Sequence, residues 1–427
     1  LQAGSWPAFL TPPSRNRQTV NQPSRAAGGR PIYPFVRLAA ALALMTIGAA
    51  PMYASIMILG PLAQEFGISR GLASLPYMVF MIGFGTGGVA IGRLTDRFGI
   101  MAPALLAALL LAAGLGLAAR AGGVWEIALW FGLLAGVGAS ATFGPLVADI
   151  SHWFVRRRGL AMGIAISGSY VAGAIWPPVM QKLIDAQGWR AALGDVGLFA
   201  LFAMLPLAML LYRRPPEMAT GGLGEEALAA RPLGFSRLTL QSLVCCAGIG
   251  CCAAMAMPQV HIVPYIVDLD HAAARGAEML ALMLGFGVIS RLTSGWISDR
   301  IGGLRTLLLG SVAQCLVLAA FMLAEELTTF YALSVAFGLA QGGIVPSYAM
   351  IIRRYFPAGE AAWRISLALL FTVIGMALGG WMAGALYDLT GSYTISFLNA
   401  IGFNLMNMAI ALTLLRRHRR RHSRVLV

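Results

Sequence analysis

Apolar residues dominate this chain in runs of about twenty, and each run ends in a short polar or glycine-containing break. Twelve such runs lie at about 38–61, 72–92, 101–119, 124–148, 160–184, 191–212, 239–264, 276–296, 305–324, 328–351, 364–387 and 394–415. A helix of about 20 apolar residues spans the roughly 30 Å hydrocarbon core of a bilayer. The pattern therefore predicts an all-α membrane protein with twelve transmembrane helices. The longest interior break, 213–237, contains Arg213, Arg214, Pro215, Pro216, Gly221, Gly222 and Gly224 and reads as a linker. It divides the chain into two six-helix halves, 38–212 and 238–415. Residues 1–37 read as a disordered N-terminal tail, with no cleavable leader visible, and 416–427 as a basic C-terminal tail.

Composition narrows this picture. The 427 residues are 58% hydrophobic and only 11% charged, against about 25% charged in soluble domains. The net charge of +14 does not form one nucleic-acid-binding face. The cations are almost all arginine, with Lys182 the single lysine, and they fall between the apolar runs. With both chain ends on one side, 25 of the 31 cations share that side and Arg70, Arg120, Lys182, Arg190 and Arg275 take the other. The positive-inside rule then places both termini in the cytosol and the chain in a plasma (inner) membrane. Only Arg291 is left within a helix. Four of the five cysteines (Cys245, Cys246, Cys251 and Cys252) lie in an apolar run without CxxC spacing and read as small packing residues. Neither a metal nor a cofactor is expected, and with no nucleophile elbow or paired intramembrane carboxylates, neither is enzymatic activity.

The two halves share a motif. Gly92, Asp96, Arg97 and Gly99 follow the second apolar run; Gly295, Asp299, Arg300 and Gly302 follow the eighth. Both are G-x-x-x-D-R-x-G at matched positions, as expected of parallel six-helix repeats. The glycines suit a tight helix end and close helix approach. The Asp and Arg can pair across a cytosolic gate in one conformation and separate in another.

This pair of motifs resembles the loop signature of the major facilitator superfamily. The resemblance implies two pseudo-symmetric six-helix bundles around a central cavity that opens alternately to each side. A finer resemblance rests on Trp153 to Gly168, on His261-Ile262-Val263-Pro264-Tyr265 and on Gly380 to Tyr393, which look like monocarboxylate porters and bacterial oxalate–formate antiporters. It implies that Arg291, placed as it is before Asp299, binds a carboxylate. A guanidinium offers bidentate contact and keeps its charge, and an intramembrane charge that costs a few kcal/mol calls for a function. The competing reading is a snorkelling side chain.

The chain departs from that group in three places. Gly287 stands where animal porters carry an acid, the first helix has no lysine, and 365–387 has no cation. One fixed positive charge matches a monoanion better than a dianion. His261 is the remaining candidate proton carrier or substrate contact. Tyr53, Gln341 and Tyr348 are candidate cavity-lining groups. Asp149, Asp195 and Asp388 read as solvated or capping residues near helix ends. Pro51, Pro145, Pro258 and Pro346 interrupt the helices that begin the four three-helix repeats, where kinks would assist opening.

The function expected is secondary transport of a small organic monoanion by a monomer, with proton coupling, exchange and uniport all open. Export of apolar drugs or metabolites by the same fold is one alternative. A non-transporting ligand sensor is another.

Overall fold

The computed structural model describes residues 32–154, 158–213 and 232–425. The tail expected over 1–37 and the linker expected over 213–237 lie largely outside these residues, as do Arg156 and Arg157. The described residues are helical throughout, without strands. Eleven stretches are long and apolar enough to cross a membrane. One of them, Leu160–Met209, has 50 residues, and at Gly188 the backbone turns to φ 82°, ψ 161°. That conformation is outside the helical region and suits a residue without Cβ, so the stretch is two helices and the total is twelve.

In chain order they are α1 (Tyr33–Met57), α2 (Arg70–Thr95), α3 (Met101–Ala118), α4 (Val124–Trp153), α5 (160–187) and α6 (189–209), then α7 (Arg237–Asp268), α8 (Ala273–Ile301), α9 (Gly303–Phe321), α10 (Leu327–Tyr355), α11 (Trp363–Thr390) and α12 (Thr394–Arg420). The ends of α1, α4 and α6 meet at one face, where Arg37 reaches Asp149 and the Leu211 and Arg213 carbonyls. The start of α7 meets the start of α11 through Arg237 and Glu360, and the ends of α10 and α12 meet through Tyr355 and His418. We call this the terminal face, because the described chain begins and finishes there, and the opposite face distal. Two six-helix bundles result, α1–α6 and α7–α12, which touch chiefly where α5 packs on α8 and α2 on α11. Large apolar side chains such as Trp125, Phe202 and Leu316 are more than 60% exposed on the outside, which suits lipid and not water.

Three expected features need revision. α1 begins at Tyr33 and not at 38, with Pro34 in its first turn, where the missing N–H costs nothing. The last helix continues to Val425, through most of the stretch expected to be a tail. Arg291 is not the only cation inside a helix: Arg37 lies in α1 with no exposure at all, its guanidinium forming two bonds of 2.6 and 2.7 Å to the Asp149 carboxylate. Asp149 is therefore a buried counter-ion and not a solvated end residue. Of the four prolines, Pro51, Pro145 and Pro346 each sit just after a break in α1, α4 or α10, whereas α7 carries Pro258 and Pro264 without interruption.

Candidate functional site

Arg291 lies on the α8 face turned toward α5. Positions i and i+4 share a helix face, so Gly287 sits one turn from Arg291 on that face. Tyr170 of α5 fills the space this glycine leaves: a Cβ on Gly287 would come within 2.5 Å of the Tyr170 ring. The same ring lies 5.0 Å from the Arg291 guanidinium, a cation–π contact between the two bundles. Arg291 is half-buried and forms no ion pair with a described residue. Its neighbour Ser290 fixes the backbone, donating to the Leu339 carbonyl at 2.5 Å and accepting from the Gly342 N–H at 3.2 Å. α8 and α10 are thereby locked together beside Arg291.

Two more expected residues join this group. The Gln341 side chain approaches Gly287, donates to the Met283 carbonyl at 3.2 Å and accepts from Gln259 of α7 at 2.5 Å. The Tyr53 hydroxyl donates to the carbonyl of Ser169, next to Tyr170, at 3.0 Å. Arg291 thus lies over the Tyr170 ring, with Gln341 beside Gly287 and Tyr53 bonded to the backbone next to Tyr170. Tyr170 was not anticipated. Within the fifth apolar run nothing separates it from packing aromatics, and Gly287 signalled only a missing acid.

His261 and Tyr348 lie elsewhere. Tyr348 is buried inside the second bundle, where its hydroxyl donates to Asn407 of α12 at 3.1 Å, and Asn407 donates to Ser311 of α9 at 2.7 Å. His261 is fully buried beneath the distal face. Its Nε2 is 2.8 Å from the Gly380 carbonyl, which can only accept, so Nε2 carries the proton and Nδ1 accepts from the Tyr393 hydroxyl at 3.0 Å. Tyr393 in turn accepts from Arg70 at 2.8 Å.

Arg70 is the centre of a cluster of contacts between the bundles that the sequence did not disclose. Its guanidinium grips Asp268 at the end of α7 with bonds of 2.7 and 2.5 Å and lies 3.9 Å from the centroid of Tyr387. Asp388, at the end of α11, accepts the backbone N–H groups of Arg70 and Gly71 at 2.8 and 2.7 Å. It caps the first turn of α2 from the other bundle, where a carboxylate meets the positive end of the helix. The expected capping role holds, but across the bundle boundary. A Cβ on Gly384 would approach the Arg70 carbonyl to 2.8 Å, so α11 and α2 meet backbone to backbone. These contacts join the two bundles at the distal face. Beside it, Glu65 binds Arg190 and Trp189, and the hydrogen bond from Arg190 holds the Glu65 carboxyl below its ordinary pKa.

The repeated motifs lie at the terminal face. Gly99 (φ 78°) and Gly302 (φ 83°) make the tight helix ends expected of them. Gly92 and Gly295 have no neighbour within 4 Å of a Cβ position and so do not serve close helix approach here. Arg97, Asp299 and Arg300 are exposed, and Arg97 and Arg300 lie over Phe98 and Trp296 at 5.3 and 3.5 Å from the ring centroids. The side chain of Asp96 is outside the described residues.

Comparisons with known proteins agree with this architecture. The family model described as Major Facilitator Superfamily matches residues 38–329 and 279–426. "Monocarboxylate transporter 13" of Bos taurus is 30% identical over 328 residues, covering 75% of each chain. "MFS-type transporter pynF" of Aspergillus niger is 25% identical over 334 residues, covering 77% of this chain and 75% of its own. A solved bacterial homologue of the human lysosomal transporter Spinster, inward-facing and occupied, superposes with a TM-score of 0.68 over 92% of this chain and 98% of that one, at 15% identity.

Proposed function

The chain belongs to the major facilitator superfamily, and from that premise we propose that it carries a small organic monoanion across the membrane by alternating access, with Arg291 as its carboxylate site. The observation that carries this reading is the setting of Arg291: a permanent cation at the bundle junction whose neighbour is an aromatic face and not a carboxylate. A cation–π contact contributes about 0.5–2 kcal/mol. A bidentate carboxylate holds a guanidinium more strongly, so an incoming monoanion displaces the Tyr170 ring instead of competing with a resident acid. Gln341 beside Gly287 and the Tyr53 hydroxyl on the backbone next to Tyr170 are further polar groups of this junction. Similarity to proteins named monocarboxylate transporters supports the substrate class.

In this reading the terminal face is cytosolic, which the arginine distribution supports. The Arg70–Asp268–Asp388 cluster is then the outer gate, and the molecule faces inward with that gate shut. His261 belongs to the gate and acts on substrate access, not as a direct ligand. The motif residues Asp299, Arg97 and Arg300 are exposed because the inner gate they serve is open.

The test is uptake of labelled lactate, pyruvate, formate and oxalate by proteoliposomes, comparing wild type with Arg291→Gln, with and without a pH gradient. Saturable monoanion uptake that the variant loses supports the site, and its response to the gradient assigns the coupling. If wild type moves none of the four, the substrate class is wrong. If the variant transports like wild type, Arg291 only snorkels.

One observation favours a second reading, transport of apolar molecules. A cleft of about 510 Å³ opens between α5, α8 and α10, lined mostly by apolar residues such as Ala174, Pro178, Leu282, Phe286 and Ile289, with Glu278 and Tyr331 also in its wall. Transport through it would survive Arg291→Gln.

A further inference from the structure

A second cavity, of about 290 Å³, opens at the terminal face within the second bundle. Four helices each bring a basic group to it: Arg300 ends α8, Arg305 lies in the first turn of α9, Arg354 ends α10 and His418 lies in α12. Asp299 is the only carboxylate among its lining residues. Two of these basic groups meet. Arg354 Nη2 is 3.5 Å from His418 Nε2, and the Arg354 guanidinium lies against Gly302. Tyr355 meets the other His418 nitrogen at 3.1 Å. α9, a helix of 19 residues, starts in the cavity wall with no side chain capping its first-turn N–H groups. Convergent cations and free helix N–H groups together make an anion site. Apolar side chains also line it: Ile301, Leu304, Met350, Ile351 and Leu415. The cavity lies where the spans end, at the level of lipid headgroups. Beyond it α12 carries Arg416, Arg417, Arg419 and Arg420.

We propose that this cavity binds a phosphate group presented by an anionic lipid, with the arginines on the phosphate and the apolar wall against the first part of the acyl chain. The site stands apart from the substrate reading: it shares no residue with the group around Arg291. It does include Asp299, Arg300 and Gly302 of the repeated motif, so its occupant sits directly on the inner gate.

The experiment is native mass spectrometry of the full chain in neutral detergent, titrated with dioleoylphosphatidylglycerol and, as a zwitterionic reference, dioleoylphosphatidylcholine. Thermal unfolding with inorganic phosphate runs beside it. The pocket pair Arg305→Gln/Arg354→Gln is compared with the charge-matched pair Arg416→Gln/Arg419→Gln, which lies outside the cavity. A direct charge-assisted bond from an arginine to a phosphate is worth at least about fivefold in affinity, whereas an arginine outside the cavity contributes only bulk attraction. The pocket pair should therefore bind phosphatidylglycerol about 25-fold more weakly than wild type, with a much smaller loss in the outer pair. Equal losses in both pairs would mean bulk charge attraction and overturn the proposal. So would phosphatidylglycerol binding no tighter than phosphatidylcholine with no protection by phosphate. Protection of wild type but not of the pocket pair by inorganic phosphate, without preference for phosphatidylglycerol, would keep the phosphate site and reassign its source to solution. Should the pocket pair fail to fold, Arg305→Gln alone, an exposed side chain, should still show the fivefold loss, and its absence would refute the site.

Discussion

The distal gate allows a direct test of the transport cycle. Asp268→Asn removes the charge that Arg70 grips but keeps the side-chain shape. The two side chains are 20% and 27% exposed, so the pair falls between a surface ion pair, at about 0–1 kcal/mol, and a buried one, whose disruption costs about 3–5 kcal/mol. An intermediate value of about 1–2 kcal/mol shifts the equilibrium between distal-closed and distal-open states about 5- to 30-fold toward open. Asp388→Asn weakens the cap on α2, where two N–H groups meet a carboxylate, and should contribute about 1 kcal/mol more. The double variant should therefore favour the open state more than either single variant. The assay is pulsed electron-electron resonance between spin labels at Arg120 and Glu325, exposed distal positions on opposite bundles, in a background whose cysteines are replaced. The long-distance population should grow from wild type to Asp268→Asn to the double variant. If the distance distribution stays as in wild type in both variants, the cluster does not hold the gate and the reasoning fails.

Other predictions follow from separate parts of the molecule. Asp149→Asn leaves the Arg37 guanidinium buried without its counter-ion and should cost about 3–5 kcal/mol, read as a lower unfolding temperature in detergent; Arg37→Met/Asp149→Leu should recover most of the loss, and a double variant no better than the single would count against the pair. Gly287→Asp forces a Cβ to within 2.5 Å of the Tyr170 ring and should destabilise by about 1–3 kcal/mol, with Tyr170→Ala relieving the strain; the same loss in a Tyr170→Ala background would show that the ring is not what Gly287 accommodates. At the distal surface, the Glu65 carboxyl is held below its ordinary pKa by Arg190, so its contribution is complete above the ordinary carboxylate range and is lost as pH falls through the lowered value. Glu65→Gln should flatten only the acid limb of a stability–pH curve, and a change confined to neutral pH would contradict the assignment.

Helix number, the two halves and the position of Arg291 were readable from the chain because each depends on local order: apolar length, repeated spacing and a charge inside an apolar run. Partnerships were not readable. Arg37 and Asp149 are 112 residues apart, and Arg70 and Asp268 are 198 apart. Each charge near a helix end has the same local signature whether it faces headgroups or another helix. Tyr348 illustrates a geometric limit. It is seven residues from Gln341 and would share its face on an unbroken helix. α10 breaks at Gly342–Gly343, so Gln341 looks toward Arg291 while Tyr348 binds Asn407 of α12. Gly287 was legible as a departure from the porter pattern, but its meaning depended on Tyr170, which comes from another helix in the other bundle.

The placement of strong and weak contacts explains how one chain can be both rigid and mobile. Each bundle has buried polar contacts at its centre: Arg37 with Asp149 in the first, and Tyr348, Asn407 and Ser311 in the second. Breaking one exposes unpaired groups to a medium that cannot satisfy them, so each bundle moves as a unit. Between the bundles the contacts are of another kind. Gly71, Gly384 and Gly287 let backbone or ring approach closely without side-chain interlocking. The ionic contact there is partly exposed, and the contact at Arg291 is a cation over a ring. Lipid supplies no hydrophobic drive to hold helices together, so this interface depends on a few contacts worth about 1–2 kcal/mol each. A substrate can shift a conformational equilibrium only by its differential affinity for the two states. On the proposed reading, one carboxylate on the Arg291 guanidinium is enough to tip an interface built this weakly, and would not be if the Arg37–Asp149 type of bond lay between the bundles.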